Sequence, residues 1–526
     1  MRTSQRRSRR AGPLVTLVAA VATGLVAADM AALATLPASG QTTSVIVRRL
    51  ARTGGLADVE TVRAGGTIHR RLDVIDGFVA TLPAGRVEQL RHRPGVLSVA
   101  VDRPVRLAGA DTAESAVALA GSAAPSAAGL AGAPAFWRAG LTGRGVDVAL
   151  VDSGVVPVDG LGGPRLLRGP DLSTEAGVRG LEDADTFGHG THMAGLIAGR
   201  DGALQETDDL TGSGGFVGVA PGARLVSIKV ADAHGNTDLG AVLAAVDWVV
   251  QHHASDGLDI KVLNLSFGVV GGAEPDDPLA VAVEAAWRSG IVVVAAAGND
   301  GAGEPLTAPA SDPLVLAVGA ADMGGTDERG DDRVAAFSST GTGRTPDLLA
   351  PGTHVVSLRD AGSFIDGHFG TTGRLDDRLF LGTGTSQAAA VVSGAAALVE
   401  QQRPGLTPAQ VKELLIASAA PVPGGAVLDL ERALATSPRI ASEPQEETPA
   451  GGSLDAVTAP AAGQAEGVVH PGVAAAWPGD DAITGLVTAW NQAAPATGSF
   501  DGNTWSATTW SGNTWSGNTW STGAWG

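Results

Sequence analysis

The sequence predicts an α/β protein: a doubly wound, mainly parallel sheet, with a small α+β unit before it and a low-complexity tail after it. Three observations carry this expectation. Apolar runs at 146–151, 225–230, 261–265, 291–297 and 314–318 look like parallel strands buried on both faces. Helical patterns lie between several of them, as at 239–252 and 278–289, and such alternation marks a doubly wound domain. In these sheets ligands bind outside the carboxyl ends of the strands, and Asp152 and Asn299 both fall at such ends.

Taken in order, the chain opens with a basic head (Arg6, Arg7, Arg9, Arg10) and an apolar stretch over 11–28, followed by small residues at 32–34 and 38–40. This is the pattern of an export signal over 1–40. A retained anchor is the other reading, since the stretch approaches the roughly 20 residues that span a bilayer. Asp29 and the many Ala and Gly residues weaken it. The protein is thus expected to be secreted, with association to the cell surface left open. Residues 41–110 read as the α+β unit. Strand-like runs lie at 44–47, 77–82 and 96–101, with a helical pattern at 86–90 and a Pro94-Gly95 turn. A linker rich in Ala, Ser and Gly covers 111–132, and the large domain covers 133–436. Its last helix is marked by Thr407 as N-cap, Pro408 in the first turn and Gln410 to complete a capping box. From 437 to 526 the chain turns Ala-, Pro-, Gly- and Glu-rich and ends in a repeat. Trp505, Trp510, Trp515, Trp520 and Trp525 recur every five residues, a period that matches neither strand nor helix.

Composition narrows the function. The net charge of −19 argues against nucleic acid as a partner, because phosphate binding calls for clustered Lys and Arg. The chain has no cysteine, which excludes disulfides, thiolate catalysis and thiolate metal sites.

The chemistry lies in three short motifs in the order Asp, His, Ser. Asp152 ends the run at 146–151, His189 lies in Gly188-His189-Gly190-Thr191-His192, and Ser386 lies in Gly384-Thr385-Ser386. A serine hydroxyl is a poor nucleophile until an imidazole takes its proton and a carboxylate orients that imidazole. The order distinguishes this arrangement from two other convergent ones. His189 and His192 lie one helical turn apart, but the glutamate of a zinc protease motif is missing. Gly143-Arg144-Gly145 precedes its strand and so is no dinucleotide loop.

In these motifs the sequence resembles the subtilisin-like serine proteases, the subtilases. Residues 143–154 resemble the family's Asp segment, 188–195 its His segment and 384–388 its Ser segment. The segments 219–223, 264–268, 296–299 and 349–352 match further landmarks. The resemblance covers 133–435, and a weaker likeness makes 44–105 a propeptide that assists folding and inhibits the protease. It implies a secreted endopeptidase acting on polypeptide substrates through an acyl-enzyme. Asp152, His189 and Ser386 would be catalytic, with Asn299 in the oxyanion hole and His192 structural. Ser266, Phe267 and Gly268 would bind substrate as an added strand. No cofactor is required on this reading. Calcium is common in the family as a structural ion, but no Asp cluster here, Asp183 with Asp185 or Asp331 with Asp332, has diagnostic spacing.

The sequence also departs from the family. Gln387 and Ala390 stand where the family usually has Met and Pro, which changes the polarity beside the nucleophile while leaving a good helix former. Asp300 would lie at the rim of the specificity pocket. The second function class is an inactive or catalytically weak subtilase that binds cell-wall glycan or another surface through its Trp repeat, since exposed indole rings favour interfaces.

Overall fold

A computed structural model describes residues 41–107 and 126–437, apart from 183, 203, 205–209, 211–214, 270–276, 325 and 327–329. The expected signal segment, most of the linker and the Trp repeat lie outside the described residues. The chain divides into two compact units, 1–71 with 76–102, and 72–75 with 103–526.

In the smaller unit, β1 (Thr42–Arg49), β2 (Thr67–Leu72), β3 (Gly77–Pro83) and β4 (Val96–Val101) form a sheet in the order β2-β3-β1-β4. β1 runs antiparallel to both neighbours, with Val45 opposite Ala80 and Val101. Helices α1 (Leu56–Arg63) and α2 (Val87–Arg91) accompany it. The core gathers Val45, Val47, Phe78, Ala80, Leu82, Leu90 and Val99, with the β1 residues alternating inward as strand geometry demands. The turn expected at Pro94-Gly95 is confirmed: Gly95 has φ 83°, and a Cβ there would lie 2.5 Å from that of Leu56.

The larger unit is built on β6 (Asp147–Asp152), β7 (Leu166–Asp171), β8 (Arg224–Lys229), β10 (Ile260–Leu265), β12 (Val292–Ala296), β13 (Leu316–Asp322) and β14 (Leu348–Pro351). They pair in parallel in the order β14-β13-β12-β10-β6-β8-β7. All five apolar runs of the sequence are strands of this sheet. The order reverses at β6, which sits between β8 and β10, so the switch point lies where Asp152 ends β6 and Ser266 follows β10. A separate three-stranded patch is made by β5 (Pro104–Leu107), β9 (Asn236–Asp238) and β11 (Phe267–Gly268), with β5 in the middle.

Helices α3 (His189–Ala198), α4 (Leu239–His252), α5 (Pro278–Arg288), α6 (Phe364–Gly373), α7 (Thr385–Gln402) and α8 (Pro408–Ser418) complete the frame. α7 is buried from Thr385 to Glu400 and packs on α3. The packing is close because α7 is rich in Ala and has Gly394 at the contact, where a Cβ would lie 3.2 Å from the Ile197 carbonyl oxygen of α3. Ala390 continues α7 without a break, as its helix propensity predicts. Two elements escape the sequence pattern. β5 is only four residues long, and α6 is Gly-rich, started instead by the Ser363 side chain accepting from Asp366 N.

The capping box of α8 forms as expected, with Thr407 Oγ1 accepting from Gln410 N (3.3 Å) and Gln410 Oε1 from Thr407 N (2.9 Å). Thr407→Ala is expected to cost about 1 kcal/mol. A lower thermal midpoint followed by circular dichroism would register it, and an unchanged midpoint would show that α8 does not depend on its cap.

Candidate active site

The site forms where three chain segments meet at the switch point. β6 ends in Asp152, whose side chain is fully buried. His189 opens α3 and is equally buried, and its Nδ1 lies 2.7 Å from Asp152 Oδ1, so the ring N–H donates to the carboxylate. Gly188 precedes it at φ 99°, a conformation other residues adopt only under strain, and a Cβ there would run into Ser363.

A second carboxylate, Asp185, holds this pair in register. It is fully buried, and its Oδ1 accepts from Ser153 Oγ (2.7 Å) and Gly188 N (2.7 Å) while Oδ2 accepts from Thr191 N (2.7 Å). Ser153 Oγ in turn accepts from Gly190 N at 3.0 Å, and Ser153 N donates to Asp152 Oδ1 at 2.8 Å. One carboxylate thus ties the end of β6 to the start of α3. Burial raises the Asp185 pKa, and the bonds from Ser153, Thr191 and Gly188 oppose that shift. Below it, Lys229 is 1% exposed and donates to the carbonyls of Ser153 (2.8 Å) and Ala231 (2.8 Å), with Glu175 Oε2 at 3.0 Å as counter-charge. Such a buried cation is tolerable only because each donor finds an acceptor.

The two histidines of the motif differ sharply. His192 is held down to about 3 by burial and by the nearby charge of His189, so its ring is neutral and Nε2 lies 3.2 Å from the Phe380 carbonyl. Among the described residues no group of three or more His, Asp or Glu gathers as a metal site.

Ser386 is the second residue of α7 and fully buried, and its Oγ donates to the Ser266 carbonyl at 3.2 Å. Ser266 Oγ returns a bond to the Ser386 carbonyl (3.3 Å) and accepts from Asn264 Nδ2 (2.8 Å). Asn299 Oδ1 accepts from Thr385 N at 2.9 Å, which fixes its amide beside the start of α7. Its Nδ2 is buried and has no hydrogen-bond partner among the described residues. Gln387, also fully buried, has no partner for either amide atom among the described residues.

Phe267 and Gly268 form β11, and the strand laid against them is β5 of the same chain. Phe267 pairs with Leu107 and Gly268 with Arg106, while β9 holds the other edge through Asn236, Thr237 and Asp238. All seven residues singled out by the sequence therefore lie at the carboxyl end of the sheet. Sequence reasoning missed Ser153, Asp185, Lys229 and Thr385. Asp185, four residues before His189, was noticed only as half of an acidic pair.

Asp360, which follows Arg359, is raised to about 7 by burial and by the charges of Asp185 and Asp366. A carboxyl raised from 3.8 holds its proton more tightly in the folded state. The stability this contributes is complete below the unfolded pKa and is lost as pH rises through 7. Asp360→Asn should therefore raise the thermal midpoint near pH 8.5 and leave it unchanged near pH 4 (about the unfolded value). A shift of equal size at both pH values would sink the electrostatic account.

A family model described as "Subtilase family" matches residues 143–448. The chain is 39% identical over 284 residues to serine protease AprX of Bacillus subtilis, covering 52% of this chain and 61% of that protein. It thus spans less than two thirds of this relative's length. Subtilisin E of the same species is 31% identical over 363 residues, covering 68% of this chain and 78% of its own. The solved structure of fervidolysin from Fervidobacterium pennivorans superposes with a TM-score of 0.59 at 23% identity, covering 77% of this chain and 62% of that one, a likeness of fold.

Proposed function

The chain belongs to the subtilase family, and on that premise we propose that it is a secreted serine endopeptidase that hydrolyses peptide bonds through an acyl-enzyme. The observation that carries this reading is β5, an extended segment hydrogen-bonded on both edges at the place where a substrate strand would lie. Its last residue, Leu107, is opposite Phe267, which directly follows Ser266, whose carbonyl accepts from Ser386 Oγ. The segment 41–110 then acts as an intramolecular inhibitor, and the Ala108–Gly109 bond is the one the protease cuts to free itself.

In this mechanism Ser386 Oγ bonds to the scissile carbonyl carbon as His189 Nε2 takes its proton. The C–N bond then breaks with that proton passing to the leaving amine. Water repeats the sequence to release the acid. Asp152 orients the imidazole and stabilises its charged form, which the 2.7 Å contact supports. Asn299 Nδ2 and the Ser386 N–H, at the positive end of α7, would donate to the oxyanion. The buried Nδ2, without a partner among the described residues, supports that role, since a desolvated donor of this kind is costly unless something accepts from it during turnover.

The second reading is binding through the Trp repeat, to cell-wall glycan or a comparable surface. It is favoured by five indoles in a stretch of Ser, Gly, Asn and Thr that has no single apolar face to bury. The two roles are compatible in one secreted chain.

A fluorophosphonate probe on the secreted protein tests the first reading. Wild type should label and begin at Gly109, whereas Ser386→Ala should neither label nor be processed. Loss of one oxyanion donor in subtilisin lowers turnover roughly 10²–10³-fold, and Asn299→Leu is expected to do the same here. Folded, processed protein that fails to label would shift the weight to a binding subtilase.

A further inference from the structure

Resting on the endopeptidase reading, we propose that Phe187 and Phe364 form an apolar wall for the substrate side chain one residue before the scissile residue, so that the enzyme selects leucine-like side chains there.

The wall is built beside His189. Phe187 is 1% exposed and its ring centroid lies 6.5 Å from that of His189. α6 delivers Phe364 onto it: the Phe364 and Ile365 N–H groups donate to the Thr186 and Phe187 carbonyls, both at 3.0 Å. The two rings stack at 5.8 Å and 26°. On its outer side Phe364 is flanked by His368 at 3.8 Å and His234 at 5.4 Å, which frame the wall with polar edges. Phe364 is only half-buried, so part of its ring remains open to a ligand.

The chain's own segment indicates what lies against the wall. In β5, Pro104 pairs with Asp238, Val105 with Thr237 and Arg106 with Asn236, so one step further Leu107 comes level with Gly235. The backbone at Gly235 packs close to the Phe187 ring: a Cβ there would sit 2.9–3.2 Å from its atoms. Val105 and Leu107 share one face of the strand, and both are buried, at 0% and 1% exposure. A buried leucine thus ends β5 on the side of this turn, and Leu107 is the residue before Ala108 in the sequence. A peptide taking the same register presents its corresponding side chain to the same rings, where apolar area is removed from water and a carboxylate would lose hydration without a partner.

The test uses quenched-fluorescent peptides containing Val-Arg-Xaa-Ala-Gly, with Xaa as Leu, Ala, Gly or Asp, on the processed full-length protein. The Leu peptide should exceed Gly in kcat/KM by tenfold or more, with Asp poorest. In Phe364→Ala the Leu-to-Gly ratio should fall at least fivefold, and Phe364→Leu should restore most of it, both measured on active sites counted by fluorophosphonate. Should Phe364→Ala fail to fold, Leu107→Asp in the intact precursor gives an independent readout: self-processing should slow at least tenfold. A wild-type Leu-to-Gly ratio within twofold of one, an unchanged ratio in Phe364→Ala, or undelayed processing of Leu107→Asp would each overturn the proposal. If no peptide of the series is cleaved and nothing labels, the endopeptidase reading itself has failed.

Discussion

The arrangement depends on one buried carboxylate. Asp185 receives the Ser153 hydroxyl from the loop after β6 and two backbone N–H groups from the start of α3. Without it, Asp152 and His189 would belong to independent elements, and their 2.7 Å contact would have to survive the relative motion of a strand and a helix. With it, the strand end and the helix start share an anchor that solvent does not reach. A hydrogen bond to a desolvated acceptor is worth more than one at the surface, and leaving such an acceptor unsatisfied is costly. The geometry of the site therefore rests on the same bonds that make Asp185 tolerable.

Much of this was legible in the sequence. The five apolar runs became strands because residues buried on both faces have no reason to alternate, and their carboxyl ends bore Asp152 and Asn299. The motif residues were legible because their chemistry fixes their type. What escaped is what depends on tertiary contacts. Four residues at 104–107 carry no periodicity, and they are a strand only because β9 and β11 supply partners on both sides. α6, with three glycines and three β-branched residues among its ten, has little intrinsic propensity. It is held by Ser363 at its start and by Asp366, which is lowered to about 2 chiefly by its bonds from Arg359. Ser153 and Asp185 are common residue types whose roles appear only when strand end and helix start are brought together.

The peptide-binding edge and the wall beside His189 depend on each other. β9 is continuous with the turn that carries His234 and Gly235, so the strand that pairs with β5 also lays its backbone on Phe187. Main-chain pairing sets the register, and only after the register is set does a given side chain meet a given ring. Affinity of the strand-addition kind is indifferent to sequence, whereas the rings are not. Selectivity is thus layered on a binding mode that would otherwise accept almost any extended chain.

The support of Ser386 has a further consequence. α7 is made largely of Ala, Gly, Ser and Val, and Ala388, Ala389, Ala390, Ala395, Ala396 and Ala397 are all fully buried in it. Alanine has no rotamers to freeze and β-branched valine few, so immobilising this helix forfeits little side-chain entropy. The entropic resistance to order, which grows with temperature, is consequently small in the element that carries the nucleophile. Heat should loosen the long-side-chained surface around the site well before it loosens the platform on which Ser386 stands.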